Sequence, residues 1–376
     1  MAIVPVLLLL ILTGSLAYCA LVIFAAHHYL AARPPEPHGQ VPISILKPLA
    51  GADDGLEDNL RSFFLHDYPA FELLFAIRDQ IDPAFPIVEK LRLEHPGVPA
   101  RVLLTGEAPY ANDKVYKLDR MADEARHDLL VMSDSDIRVT PGMLRAIAAE
   151  FQDERLGVAT CPYRAVPGTS FWSTLEAVGM NTEFLAGVLT ARVIEGMKFA
   201  VGPTMVMRKA ALRSIGGFDS VKDYTAEDFV LGKLAFEKGW RVSLSSYVIE
   251  HRIGSEDFRT NFQHRLRWAR TTRRSRPAGY VGEVFTNPLP IALLLLAFQP
   301  GWWWLLALSL VMRAAAAWAV AGWVLHDPLT ARRWWLVPVQ DLVSFAFWLC
   351  GFFGNTVIWR GRKIRLRADG KCELEG

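Results

Sequence analysis

Cysteine is scarce in this sequence: it holds four, Cys19, Cys161, Cys350 and Cys372, and no two form a CxxC pair. That excludes a disulfide framework and a Cys-rich zinc module, and reduced thiols facing the cytosol are the simpler reading. An excess of charge is also missing. Lys and Arg total 41 against 39 Asp and Glu. Phosphate-backbone binding usually shows as a strong basic excess, so nucleic acid is not expected as a partner. No internal repeat is visible along the 376 residues, which excludes a solenoid or propeller.

Apolar residues make up 52% of the chain, and they gather at its two ends. Residues 3–26 are almost continuously apolar and uncharged. About 20 such residues cross a bilayer as a helix. The run is longer than the apolar core of a signal peptide, and no basic segment precedes it. His27, His28 and Arg33 follow it, so the side after the helix reads as cytoplasmic. The organisation expected is an anchor over 1–32, a Pro-rich linker over 33–40, a globular domain over 41–284, membrane segments over 285–360 and a basic tail over 361–376.

Three apolar stretches, 288–298, 302–325 and 334–359, are the C-terminal membrane candidates. The first is short enough for a re-entrant or interfacial helix. Arg313 falls inside the second, where a charge is costly unless it faces protein or snorkels. Trp302, Trp303 and Trp304 suit an interfacial belt. Arg332-Arg333 and the basic stretch 360–367 both read as cytoplasmic. A single crossing by 334–359 cannot satisfy both.

Between the ends, strand-like runs alternate with helical patterns. Strands are expected over 42–46, 71–77, 101–105 and 128–133. Helices are expected over 55–64, 87–95 and 114–127. This alternation predicts right-handed βαβ units and a mostly parallel, Rossmann-like α/β sheet flanked by N- and C-terminal transmembrane helices. Ligands bind such sheets beyond the carboxyl ends of the strands.

Four local patterns carry chemistry. In Ser133-Asp134-Ser135-Asp136 an apolar strand ends in Asp-x-Asp. Two carboxylates at that spacing can hold a hard divalent cation, which in turn holds a diphosphate. The same pattern is also a common turn. A second strand ends in Arg78-Asp79-Gln80-Ile81-Asp82-Pro83, where a carboxylate can accept hydrogen bonds from a base or ribose. Asp82 ahead of Pro83 equally suits a helix cap. Glu227-Asp228 precedes an amphipathic helix over 230–239. Acids at a helix start are favoured by the dipole, but a carboxylate there can also serve as a general base. Finally, His264-Arg265-Leu266-Arg267-Trp268 leads into an Arg-rich run through Arg274. Such a run beside a membrane is commonly a topology signal or a headgroup contact. Arg267 can instead neutralise a leaving diphosphate, and Trp268 can pack on an acceptor.

Asp, then Asp-x-Asp, then Glu-Asp, then xxxRW, in a chain with membrane ends, resembles the D, D, D, (Q/R)xxRW signature of inverting glycosyltransferases with a GT-A fold. More closely, the chain is similar to the ceramide glucosyltransferases, glycosyltransferase family 21. Supporting segments are Ser44-Ile45-Leu46-Lys47-Pro48-Leu49, Asp67-Tyr68-Pro69, Asn112-Asp113-Lys114-Val115 and Ala226-Glu227-Asp228. The resemblance implies Asp228, Arg267 and Trp268 as catalytic residues, with Asp228 the base. It implies substrate contacts at Asp79, Asp82, Lys114, Asp134, Glu227 and His264. Asp134 and Asp136 would hold Mn2+ or Mg2+. His264 departs from the Gln or Arg of the general motif, and Asp136 completes a DxD where eukaryotic members often have DSG.

The implied reaction moves glucose or N-acetylglucosamine from a UDP-sugar to a lipid hydroxyl at the cytoplasmic face of a bilayer. The stretch Gly196-Met197-Lys198-Phe199-Ala200-Val201-Gly202 resembles bacterial hopanoid-modifying members. The acceptor is therefore a ceramide-type lipid or bacteriohopanetetrol, and the location a bacterial inner membrane crossed more than once. A processive polysaccharide synthase shares the four patterns, but needs a polymer channel that so few apolar stretches do not supply.

Overall fold

The computed structural model describes residues 3–32, 36, 40–359 and 362–374. Most of the expected linker over 33–40, and residues 361, 375 and 376 of the expected tail, lie outside the described residues. Cα proximity divides the chain into two compact units. One comprises Pro34–Tyr163, Met197–Gly254 and Gly370–Gly376; the other comprises Met1–Arg33, Arg164–Gly196 and Ser255–Asp369.

The first unit is built on a seven-stranded sheet. Its strands in chain order are β1 (Ile43–Pro48), β2 (Phe71–Ile77), β3 (Ala100–Leu104), β4 (Leu129–Ser133), β5 (Leu156–Thr160), β6 (Thr204–Arg208) and β7 (Arg241–Leu244). The spatial order is β3-β2-β1-β4-β6-β5-β7. β1 is parallel to both β2 and β4, and β2 to β3. β6 runs antiparallel to β4 and β5, while β5 and β7 are parallel. The sheet is thus mixed and mostly parallel. β1 and β4 are buried at every position, as expected for strands covered on both faces.

Helices α2 (Leu56–Phe64), α3 (Ala84–Glu94) and α4 (Asp113–Glu124) form the crossovers between the first four strands. α3 begins three residues earlier than the apolar period indicates. Pro83 presets a helical φ of −56°, and the Asp82 carboxylate accepts the Ala84 N–H at 2.9 Å. α4 stops at Glu124 because Ala125 turns extended, at φ −66° and ψ 131°. The carboxyl ends of β1, β2 and β4 share one edge, and the antiparallel β6 brings the segment before Thr204 to that same edge.

The second unit is helical. α1 (Ile3–Ala31) is 29 residues long with a mean hydropathy of 2.6, and Pro300–Val324 is 25 residues long at 1.8. Both are long and apolar enough to cross a membrane. Pro277–Phe285 and Pro288–Phe298 pass the same test only as a pair, bent by 55°. Arg313 faces protein, as its burial requires: its Nη2 lies 2.8 Å from Asp341 Oδ1, and its Nη1 and Nη2 donate to Thr182 at 3.4 and 3.3 Å.

The expected segment 334–359 does not form a single span. Its helix, Leu336–Gly351, has 16 residues. At 1.5 Å per residue that is about 24 Å, short of the roughly 30 Å hydrocarbon core. Thr356–Trp359 is a strand paired antiparallel with Arg362–Leu366. The Arg run after Trp268 explains the stop. Arg270 donates to the Phe353 and Thr356 carbonyls at 3.0 and 2.5 Å. Arg273 donates to Phe352 and to Gly354, the latter at 2.6 Å. The two guanidinium groups therefore hold the carbonyls of the segment that follows the helix.

Candidate active site

Asp134 and Asp136 follow β4 at the carboxyl edge of the sheet. Their loop is fixed by backbone: Asp134 N–H donates to Pro203 O at 3.0 Å, and Arg252 N–H to Asp136 O at 2.7 Å. Lys47, fully buried at the end of β1, donates from Nζ to the Asp134 carbonyl and reaches Ser133 Oγ at 3.4 Å. Its ammonium also lies 4.0 Å from the Phe63 ring centre. Burial pushes the Lys47 pKa down to about 7.

The Asp134 side chain points to Lys114. Lys114 Nζ lies 2.7 Å from Asp134 Oδ1 and 3.0 Å from Glu227 Oε1. Burial alone would lower the Lys114 pKa, but these two carboxylates raise it, so the ammonium stays charged. Asn112 sets the geometry around it. Its Oδ1 caps α4 by accepting from Val115 N at 3.1 Å, and its Nδ2 donates to Tyr224 O at 2.7 Å. That ties the start of α4 to the segment leading into Glu227.

Glu227 and Asp228 open a helix, Glu227–Glu237. Glu227 is buried, while Asp228 is half-buried. Burial, and then the Glu227 charge beside it, push the Asp228 pKa up to about 7. The room for this carboxylate comes from Gly202, where a Cβ would stand 2.9 Å from Asp228 Oδ2.

Asp136 behaves differently. Burial would raise its pKa, but His251, with Nε2 3.1 Å from Asp136 Oδ2, lowers it to about 2. Its other oxygen, Oδ1, is buried without a hydrogen-bond partner among the described residues. A buried anionic oxygen with no donor is costly and is the kind of group a cation satisfies. Asp134 and Asp136 therefore fit a divalent ion.

Asp79 and Asp82 sit in the loop after β2. Asp82 accepts the Gly51 N–H with both oxygens, at 3.0 and 3.1 Å, besides capping α3. Asp79 Oδ1 accepts from the N–H groups of Ile81 and Asp82 at 3.0 and 3.1 Å. The Asp82–Ala84 bond is the capping role that the sequence also allowed, and the others brace the loop. They hold both carboxylates rigidly at the sheet edge.

The first unit thus brings together Lys114, Asp134 and Glu227, with Asp136 and Asp228 beside them in the chain, and carries Asp79 and Asp82 at the same edge of the sheet. His264, Arg267 and Trp268 lie in the other unit, on the helix Phe258–Ser275. There the His264 ring packs 4.3 Å from the Trp268 ring. Sequence reasoning passed over Lys47, Asn112, Gly202 and His251 as site residues. Lys47 did leave a signal: it is the one charged residue in a mostly apolar strand.

The sequence profile of glycosyl transferase family 21 matches residues 7–372. The chain belongs to glycosyl transferase family 21. Ceramide glucosyltransferase 1 of Caenorhabditis elegans is 25% identical over 93% of this chain and 76% of its own length. Ceramide glucosyltransferase 3 of the same organism is 26% identical over 67% of this chain and 55% of its own. Among solved structures, a Pyrobaculum calidifontis mannosyltransferase in complex with GDP-Man and Mn2+ covers 93% of this chain. The match spans 98% of that protein with a TM-score of 0.58 at 16% identity, so it shows a shared fold, the GT-A fold expected from the sequence. The family 21 chain described here is a glycosyltransferase with membrane-type helices at its N-terminus and in its C-terminal third.

Proposed function

We propose that the enzyme transfers one hexose, glucose or N-acetylglucosamine, from a UDP-sugar to a lipid hydroxyl with inversion at the anomeric carbon. Asp228 takes the acceptor proton as the acceptor oxygen bonds to C1. The bond from C1 to the diphosphate oxygen breaks, and UDP leaves with the electron pair. The observation that best supports this is the grouping of Asp134, Lys114 and Glu227 by ion pairs of 2.7 and 3.0 Å, with Asp228 next in the chain. Burial and the Glu227 charge push the Asp228 carboxyl up toward neutral pH, as suits a general base.

Glu227 stays in support, held by Lys114. Lys114 also fixes Asp134, so the metal-binding loop and Glu227, the residue next to the base, share one cation. Mn2+ or Mg2+ held by Asp134 and Asp136 would supply positive charge to the departing diphosphate. The mannosyltransferase of the same fold was solved with Mn2+ and GDP-Man, in line with a divalent ion beside the donor. Asp79 and Asp82 contact the base or ribose of the donor. His264 contacts substrate, Arg267 neutralises the diphosphate and Trp268 packs on the acceptor, as the family signature implies.

The lipid acceptor is of ceramide type, in line with the related ceramide glucosyltransferases, or bacteriohopanetetrol. The enzyme is a multi-pass protein of a bacterial inner membrane with its sheet unit in the cytoplasm. Because Leu336–Gly351 is too short to cross, Arg332-Arg333 and the basic strand Arg362–Leu366 both stay on the cytoplasmic side.

The test uses the full chain in detergent, with UDP-glucose or UDP-N-acetylglucosamine and each lipid in turn. Mass spectrometry of the organic extract is expected to show one hexose on one lipid. A water-soluble polymer ladder would favour the polysaccharide synthase instead.

A further inference from the structure

Outside the sheet unit, one cluster of ligating side chains stands apart. Glu176 lies on the helix Phe171–Gly179, His264 lies on the helix Phe258–Ser275, and Glu256 stands two residues before the latter. One ligand atom from each lies within 4.8 Å of the other two. Glu176 is buried, at 3% exposed, and the other two are half-buried.

The distances are informative. His264 Nδ1 is 3.5 Å from Glu176 Oε1 and 3.5 Å from Glu256 Oε1. A good N–H···O bond spans about 2.7–3.2 Å. In keeping with that, the buried Nδ1 has no hydrogen-bond partner among the described residues. An ion held tetrahedrally at about 2.0–2.1 Å sets neighbouring donor atoms roughly 3.3–3.5 Å apart. An octahedral ion held at about 2.1 Å sets them nearer 3.0 Å. The observed spacing is therefore that of a tetrahedral shell without its ion, rather than of a hydrogen bond.

The surroundings hold the carboxylates in place. Asn261 Nδ2 donates to Glu176 Oε2 and lies 3.4 Å from Glu256 Oε2. Ser173 Oγ accepts the Glu256 N–H at 2.8 Å. Trp268 packs on the imidazole. The neighbouring Arg265 guanidinium is committed elsewhere, to Gln340 at 3.3 Å and Ser344 at 3.2 Å. Groups that orient metal ligands in this way commonly affect affinity 10- to 100-fold.

We propose that Glu176, Glu256 and His264 form a second divalent-cation site that selects Zn2+ over Mg2+ and uses none of the Asp134 or Asp136 oxygens. Carboxylate and imidazole are both zinc ligand types, and three protein ligands leave a fourth tetrahedral position open to an oxygen ligand. The site also gives His264 a use that Gln or Arg at that position cannot supply.

The test is a binding measurement on the full chain in detergent, purified without a His tag. The double variant Asp134→Asn/Asp136→Asn removes the other candidate site. Titration calorimetry with Zn2+ alone is expected to show one ion per chain, and Mg2+ alone is expected to bind at least about 10-fold more weakly. Co2+ alone is expected to give the visible bands of tetrahedral oxygen and nitrogen ligation. His264→Gln and Glu256→Gln, placed singly on that background, are each expected to weaken Zn2+ at least about 10-fold. Both side chains are half-buried, and melting curves check that the variants fold. Absence of Zn2+ binding in the double variant would overturn the proposal. So would unchanged binding in both single variants, or Co2+ bands of thiolate ligation. If a single variant fails to fold, the Zn2+ stoichiometry and Co2+ spectrum of the double variant decide. No transferase assay enters, so failure here leaves the sugar-transfer reaction untouched.

Discussion

Gly202 has no side chain where the Asp228 carboxylate sits: a Cβ there would stand 2.9 Å from Asp228 Oδ2. Gly202 does not need a positive φ, so its backbone accepts alanine. The clash falls on the end of a movable side chain rather than on backbone. Gly202→Ala is therefore expected to melt close to the wild type while turning Asp228 aside. Turnover is expected to drop about 10-fold or more, since a misplaced base loses much of a contribution typically worth about 10²–10⁴. Turnover and thermal melting on the same sample check both halves.

The pH profile follows from the neighbours of Asp228. A base must be ionised to act, and its pKa is pushed up to about 7. Turnover is therefore expected to fall as pH drops below about 7. Glu227 raises that pKa and Lys114 lowers it. Glu227→Gln is expected to move the acidic limb to lower pH, and Lys114→Met to higher pH. Rate–pH curves for the three proteins check the opposite signs.

The same group links pH to stability. Its carboxyl is held above the ordinary value of 3.8 in the folded chain. Its contribution is complete below that value and is lost as pH rises through about 7, because the fold then has to hold a disfavoured charge. Asp228→Asn, which mimics the neutral form, is expected to raise the melting temperature at pH 8 relative to wild type and to change it little at pH 4.

Metal removal tests the Asp-x-Asp pair. Asp136 Oδ1 is buried without a donor, and its neighbour Asp134 shares Lys114 with Glu227. Activity is expected to vanish in EDTA and to return with Mn2+ or Mg2+. Full activity in excess chelator would exclude a metal role.

Arg313 and Asp341 form a buried pair, at 3% and 0% exposed. Arg313→Met alone leaves the buried Asp341 carboxyl without its partner, at a cost of about 3–5 kcal/mol. Arg313→Met with Asp341→Leu is expected to recover most of that. Unfolding in detergent, followed by circular dichroism, compares the single and double variants.

Much of the fold was legible in the sequence because strand and helix periods differ. β2 matched its expected ends, and α2, α4 and β4 fell within one to three residues. The helix start at Ala84 was less legible, since it rests on Pro83 and the Asp82 carboxylate rather than on apolar spacing. Antiparallel β6 shows no period that reveals its direction. The end of the last apolar stretch at Gly351 was hidden as well, because Arg270 and Arg273 fix it from another helix.

Within the candidate site, residues that end strands or open helices were readable from local pattern: Asp82, Asp134, Asp136, Glu227 and Asp228. Lys47, Gly202 and His251 were not singled out. Their meaning depends on pairings across the sheet edge, such as His251 with Asp136, 115 residues apart.

The most direct test of the base is Asp228→Asn, which keeps the shape and removes the proton acceptor. Turnover and UDP affinity are measured on the full chain in detergent at pH 8, beside Glu227→Gln. Turnover is expected to fall about 10²–10⁴-fold with UDP affinity nearly unchanged, and Glu227→Gln is expected to cost less. Near-wild-type turnover in Asp228→Asn would contradict the assignment, as would a matching loss of UDP affinity, which would put Asp228 in the donor site.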